Sequence, residues 1–212
     1  MKLLNVFKKK TSFVKNLINA KDSETVLEKL TVLQNEISVY YNTKIIAVTS
    51  VEGDALPAAF AKALADAYNH NGEKTLIIDA NLYGPKLAEI LNLQEGLDDI
   101  AIKDASLNGS VKLSVLDKNA SVITMNKQIY PSDVFKNKVI HQLVNDNKDQ
   151  YDHVILLAPS VKKHKDITLL GDIVESIILV TERSYTKKKD IFDAIQFFNA
   201  SKLPLAKTII IK

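Results

Sequence analysis

Cysteine is absent from the 212 residues. That excludes disulfides and thiolate metal sites, and a reducing cytosol is the simplest setting. No apolar run approaches the ~20 residues that a membrane-spanning helix needs. A signal-peptide hydrophobic region is missing too, because Lys8, Lys9 and Lys10 interrupt the N-terminus early. The four histidines, His70, His141, His153 and His164, fall in neither HxxxH nor HxH spacing, so no metal site is expected. Ser50, Ser132 and Ser160 lack a G-x-S-x-G turn, which leaves no nucleophile triad.

What is present describes an ordinary soluble globule, 46% apolar and 25% charged, of a length that suits one α/β domain with a helical extension. The net charge of +3 hides an asymmetry. Residues 1–20 hold Lys2, Lys8, Lys9, Lys10 and Lys15 with no acid, a local +5, so the rest sums to −2. A basic tip on a mildly acidic body argues against nucleic acid as a partner.

Residues 2–19 have the pattern of an amphipathic helix, with Leu3, Phe7, Val14, Leu17 and Ile18 near one face. It suits peripheral contact with an anionic membrane, or simple packing against the body. Asp22 and Ser23 can cap a second helix over about 24–40. Strands are expected at Ile45–Val48, Thr75–Asp79, Ser110–Leu116, Ser121–Met125, Val154–Leu157, Ile173–Val180 and Lys207–Ile211. Helices are expected over about 57–71, Pro85–Leu91, Asp133–Asn147 and about 186–200, the last with Ile191, Ala194, Ile195 and Phe198 inward. Short apolar strands alternating with amphipathic helices imply a doubly wound, mostly parallel sheet with helices on both faces. The division expected is a helical extension, 1–42, and an α/β domain, 43–212.

The chain is organised around Lys44 to Ala65, a strand, a loop and a helix start. That is where the loop G-x-x-x-x-G-K-[ST] would cradle phosphate, with glycines for close approach, Lys for charge and a hydroxyl for Mg²⁺. Here the loop is Glu52, Gly53, Asp54, Ala55, Leu56, Pro57, Ala58 and Ala59. The frame is present and the phosphate-binding chemistry is not.

The order of segments resembles the cytoplasmic tyrosine kinases of bacterial capsule and exopolysaccharide assembly, in the MinD/ParA-like branch of P-loop NTPases. The pieces are IIAVTSVEG, KTLIIDANLYGPKLAEILNLQEGLDDI, YPSDVF and QYDHVILLAPSV, in order from about Glu24 to Lys212. The resemblance implies a P-loop NTPase-like fold, and it implies ATP and Mg²⁺ if activity persists. The departures are as informative. The family's Gly-Lys-Ser/Thr falls on Leu56-Pro57-Ala58, and Pro57 removes both an ammonium and a backbone N–H. Asp79 matches the family's strand-ending acid, whereas its second Asp falls on Asn81 and its arginines on Tyr83 and Gly84. The metal-coordinating Asp falls on Leu157, and a family glycine on Met125. The E-x-x-R-x-x-R oligomer motif reads Glu28, Thr31, Gln34. A tyrosine-rich tail would follow the last strand in the family, and the sequence ends at Lys212.

These losses together point to a non-catalytic, pseudokinase-like adaptor or regulator of polysaccharide biosynthesis, with no cofactor and with Asp79 the one retained catalytic candidate. A capping or turn role for Asp79 is expected ahead of a remnant functional one. By the resemblance, the partners are a membrane-anchored chain-length regulator or an intact paralogous kinase, with a homo-oligomer possible. The location expected is cytoplasmic or at the inner face of the membrane. The alternatives are an active ATP-dependent tyrosine kinase with an unorthodox loop and a MinD-like membrane-surface organiser. Tyr40, Tyr41, Tyr83 and Tyr130 are candidate phosphate acceptors or plain surface residues. The runs Lys162–Lys165 and Lys187–Lys189 suit an acidic partner or a solvated face.

Overall fold

The computed structural model describes residues 32, 34–35, 43–84, 87–91, 100–101, 111–125, 130–183 and 185–211. Residues 2–19, Glu28, Thr31, Tyr40, Tyr41 and most of the 24–40 helix lie outside these; residues 32, 34 and 35 are helical.

Among the described residues, eight strands form one sheet: β1 (Ile45–Ser50), β2 (Thr75–Asp79), β3 (Ile100–Ala101), β4 (Val111–Asp117), β5 (Ala120–Met125), β6 (His153–Leu157), β7 (Ser176–Glu182) and β8 (Leu205–Ile211). Their spatial order is β3-β4-β5-β2-β6-β1-β7-β8. The six strands from β5 to β8 are mutually parallel, and β4 and β3 add an antiparallel hairpin edge. The helices are α1 (Ala55–His70), α2 (Leu87–Leu91), α3 (Pro131–Lys136), α4 (Val139–Asn147) and α5 (Lys188–Ala200).

The central strands are apolar without interruption because both faces are covered. Along β1, Ile45 and Ala47 join one core with Val134, Ile140, Ala194 and Phe198 of α3, α4 and α5. Ile46 and Val48 point the other way, into a core with Leu56, Phe60, Leu64 and Tyr68 of α1. The doubly wound architecture is therefore as the alternation implied, and the inward stripe of α5 is core, with Ala194 and Phe198 buried.

Several boundaries differ from expectation. The helix expected over Asp133–Asn147 is two helices, broken at Lys138, whose φ of 51° lies in the left-handed region. β7 starts at Ser176 rather than Ile173, because residues 171–173 form a turn after a 3₁₀ segment at Asp166–Leu170. The two-residue β3 had no sequence signal at all. Helix α1 opens at Ala55, so Pro57 sits inside the first turn rather than at its head. An N–H there has no intrahelical partner, and proline is tolerated. At the other end α1 closes at Gly72, whose φ of 83° suits glycine after a helix.

Candidate functional site

In an open α/β sheet, ligands gather at the carboxyl ends of the strands. Here β1, β6 and β2 lie side by side, and Asp79 is the direct neighbour of Leu157 across the β2–β6 pairing. The Ala80 N–H donates to the Leu157 carbonyl at 2.9 Å, which fixes the start of the loop after β2. The sequence-derived positions Leu56, Pro57, Ala58, Asp79, Asn81 and Leu157 are thus brought to one end of the sheet.

Asp79 is buried and works locally. Its Oδ1 accepts the Asn81 N–H at 3.1 Å and its Oδ2 accepts the Leu87 N–H at 3.3 Å, tying the post-β2 loop to the head of α2. Burial raises its pKa to about 7; the two N–H donors oppose that rise, and the nearby Asp54 charge adds to it.

The loop after β1 is closed upon itself. The Ser50 hydroxyl donates to the Gly53 carbonyl at 2.6 Å, and Gly53 takes a φ of 81°. The Val161 and Lys162 N–H groups donate to the Ser50 and Val51 carbonyls at 2.9 and 3.0 Å, strapping the loop after β6 alongside it. The Thr49 hydroxyl reaches the Pro159 carbonyl at 2.8 Å across the same seam. Leu56 is only 6% exposed and belongs to the α1-side core together with Leu157. Ala58 and Ala59 are buried there as well.

Three arrangements had no sequence signal, because each joins side chains distant along the chain. Lys162 bridges Glu52 at 3.3 Å and Asp190 at 2.8 Å, so one of the lysines read as part of a solvated run is an ion-pair hub between the loop and α5. The two acids push the Lys162 pKa up, and Lys162 holds that of Asp190 down. Tyr83 stacks on His164 with ring centroids 3.6 Å apart and hydrogen-bonds Asp166. Burial, then Asp166, raise its pKa to about 12. Lys165 sits 4.0 Å over the Phe197 ring. Thus Tyr83 joins the loop after β2 to the loop after β6. The Ser160 hydroxyl and Asn81 Oδ1 are buried at this end without a hydrogen-bond partner.

The remaining candidates do not converge. His141 pairs with Asp172 at 2.8 Å on another face, and His153 lies at the opposite end of β6. Among the described residues, no group of three or more His, Asp or Glu side chains is placed to hold a metal ion. None of their helices is long and apolar enough to cross a membrane. Tyr130 is 73% exposed. Gln34, the one described position of the oligomer motif, is buried and turned to its own body.

No protein-family profile matches the chain. It is 23% identical over 190 residues to CapB of Staphylococcus aureus, assigned as a tyrosine-protein kinase, which covers 87% of this chain and 83% of that one. It is 28% identical over 158 residues to the tyrosine-protein kinase YwqD of Bacillus subtilis, covering 72% of this chain and 65% of that one. Among solved structures, the kinase domain of the Escherichia coli tyrosine kinase ETK superposes with a TM-score of 0.73 at 19% identity, over 87% of this chain and 74% of that one. The chimeric protein CapA2B2 gives 0.73 at 21% identity, over 86% and 83%. The MinD of an Aquifex aeolicus MinC:MinD complex gives 0.60 at 20%, over 80% and 70%. The chain is thus similar, at 23% and 28% identity, to bacterial proteins named as tyrosine-protein kinases, and its sheet has the fold shared by the ETK kinase domain and the MinC:MinD complex, a MinD/ParA-like P-loop NTPase fold.

Proposed function

We propose that this chain is a catalytically silent relative of those kinases, acting as an adaptor or regulator in capsule or exopolysaccharide assembly. The observation that carries the reading is the buried Leu56–Pro57–Ala58 segment at the head of α1, facing Leu157 at the end of β6. The residues present do not fit a Mg·nucleotide. Leu56 fills space where a backbone would meet phosphate, and Pro57 supplies no N–H. Ala58 and Leu157 offer a metal nothing. Asp54 stands just before α1, where its charge interacts favourably with the helix dipole by ~0.3–1 kcal/mol and repels an incoming phosphate. The nearest cation on the adjoining strap, Lys162, is held by Glu52 and Asp190. Each charge-assisted hydrogen bond lost costs ~1.5–3 kcal/mol, so losing three together removes most of a micromolar affinity of ~8 kcal/mol.

Without nucleotide chemistry, the sheet and its covering helices are left to serve as a protein-binding body. The resemblance to the capsule kinases, rather than any observed contact, is the ground for a membrane-anchored chain-length regulator, or an intact kinase of the same assembly, as the partner. Such a partner would hold the chain at the inner membrane face. Co-purification with the cytoplasmic segments of such a regulator supports this, and failure to associate with either class of partner overturns it.

One observation favours a second reading, an active kinase with an unorthodox loop: Asp79 is retained, buried and poised near neutrality. Transfer of labelled phosphate from ATP to tyrosine, abolished by Asp79→Ala, would establish that reading. No transfer is expected.

A further inference from the structure

At the opposite end of the sheet, the starts of β2 and β6 carry a polar cluster unrelated to the loop site. Thr75 and His153 are direct neighbours across the β2–β6 pairing. His153 Nε2 lies 3.1 Å from Glu73 Oε2, and the same oxygen accepts the Gln34 side-chain N–H at 3.1 Å. The His153 ring stacks on Tyr68 of α1 at 3.7 Å and 19°. Glu73 is itself anchored, its N–H donating to the Tyr68 carbonyl at 3.1 Å. Glu73 is therefore a shared acceptor holding a helical residue of the N-terminal segment to the body.

Around it, Gln34 Oε1, the Tyr68 hydroxyl, Thr75 Oγ1 and His153 Nδ1 are buried without partners. A carboxylate facing Nε2 selects the tautomer with Nε2–H, leaving Nδ1 bare. Protonating His153 would then create a buried N–H with no acceptor, a costly arrangement. We infer that Gln34, Glu73 and His153 form a pH-sensitive clasp, closed while His153 is neutral and released when protonation drives the ring towards water.

The surrounding charges agree. Burial lowers the His153 pKa below 6.5; Glu73 and then Asp152 oppose this, and Lys44 adds to it. Tyr68 stays neutral, its pKa raised by burial and by Glu73. A histidine with a depressed folded pKa contributes stability above its unfolded value. That contribution is lost as pH falls through the folded value.

The absence of native cysteine allows a direct test on the full chain. Labels at Val32→Cys and Asn71→Cys, both exposed positions, report the distance between the Gln34 helix and the Glu73 turn. One short distance is expected at about pH 8, replaced by a longer, broader population as pH falls to about 5. His153→Phe keeps the stack and cannot protonate, so it should remove that pH dependence. An unchanged distance across the range, or the same response in His153→Phe, overturns the clasp. Histidine NMR titration of the unmutated chain gives an independent reading. A His153 midpoint below 6.5 supports the inference and one above 6.5 refutes it.

Discussion

Replacing Asp79 by Asn should invert its effect on stability with pH. The ordinary carboxyl value is 3.8 and the buried one about 7. The folded state therefore holds its proton more tightly than the unfolded chain. Stability from this group is full below 3.8 and is lost as pH rises through about 7. At ~1.4 kcal/mol per unit, the wild type loses ~2 kcal/mol by pH 5 and ~4 kcal/mol by pH 8 on this account, a difference of ~2–3 kcal/mol. Asparagine does not ionise, but it turns an NH₂ towards either the Asn81 or the Leu87 N–H, at ~1–3 kcal/mol irrespective of pH. Asp79→Asn should thus be near neutral or destabilising at pH 5 and stabilising by ~1–3 kcal/mol at pH 8. Urea unfolding of both proteins at the two pH values measures this, and other titrating groups cancel in the difference. Parallel profiles, with the same difference at pH 5 and pH 8, would refute the buried-carboxyl reasoning.

Other consequences follow from local geometry. Gly72→Ala should cost ~1 kcal/mol through its positive φ alone, since a Cβ there meets nothing within 4 Å, whereas Gly84→Ala should stay within ~0.5 kcal/mol. Lys138→Gly should stabilise by up to ~1 kcal/mol by relieving a left-handed lysine, read as a rise in the denaturation midpoint. Phe198→Ala should cost ~3–5 kcal/mol, because the ring is fully buried between α5 and the sheet; thermal unfolding reports it. The triple change Leu56→Gly, Pro57→Lys, Ala58→Ser should not restore nucleotide hydrolysis, because Leu157 still gives a metal no ligand; measurable hydrolysis would contradict this.

The fold was legible because parallel strands buried on both faces leave unbroken apolar runs such as those of β1 and β6. The start of β7 was not, since Ile173 and Val174 are apolar in a turn as they would be in a strand. The break at Lys138 had no glycine or proline to announce it. At the site, the chemistry of Leu56, Pro57, Ala58 and Leu157 is legible in the sequence itself, because none of these side chains carries a charge, a hydroxyl or a carboxylate. The Lys162 hub and the Tyr83–His164 stack are not. They join residues 28 to 110 positions apart, and no local periodicity encodes such a pairing.

In the proposed reading, the strand–loop–helix at Lys44 to Ala65 holds the fold together and no nucleotide. Isothermal titration of the full chain with Mg·ATP and Mg·ADP addresses it most directly. No saturable heat is expected up to about millimolar nucleotide, an affinity weaker than ~4 kcal/mol. A micromolar dissociation constant for either nucleotide would contradict it.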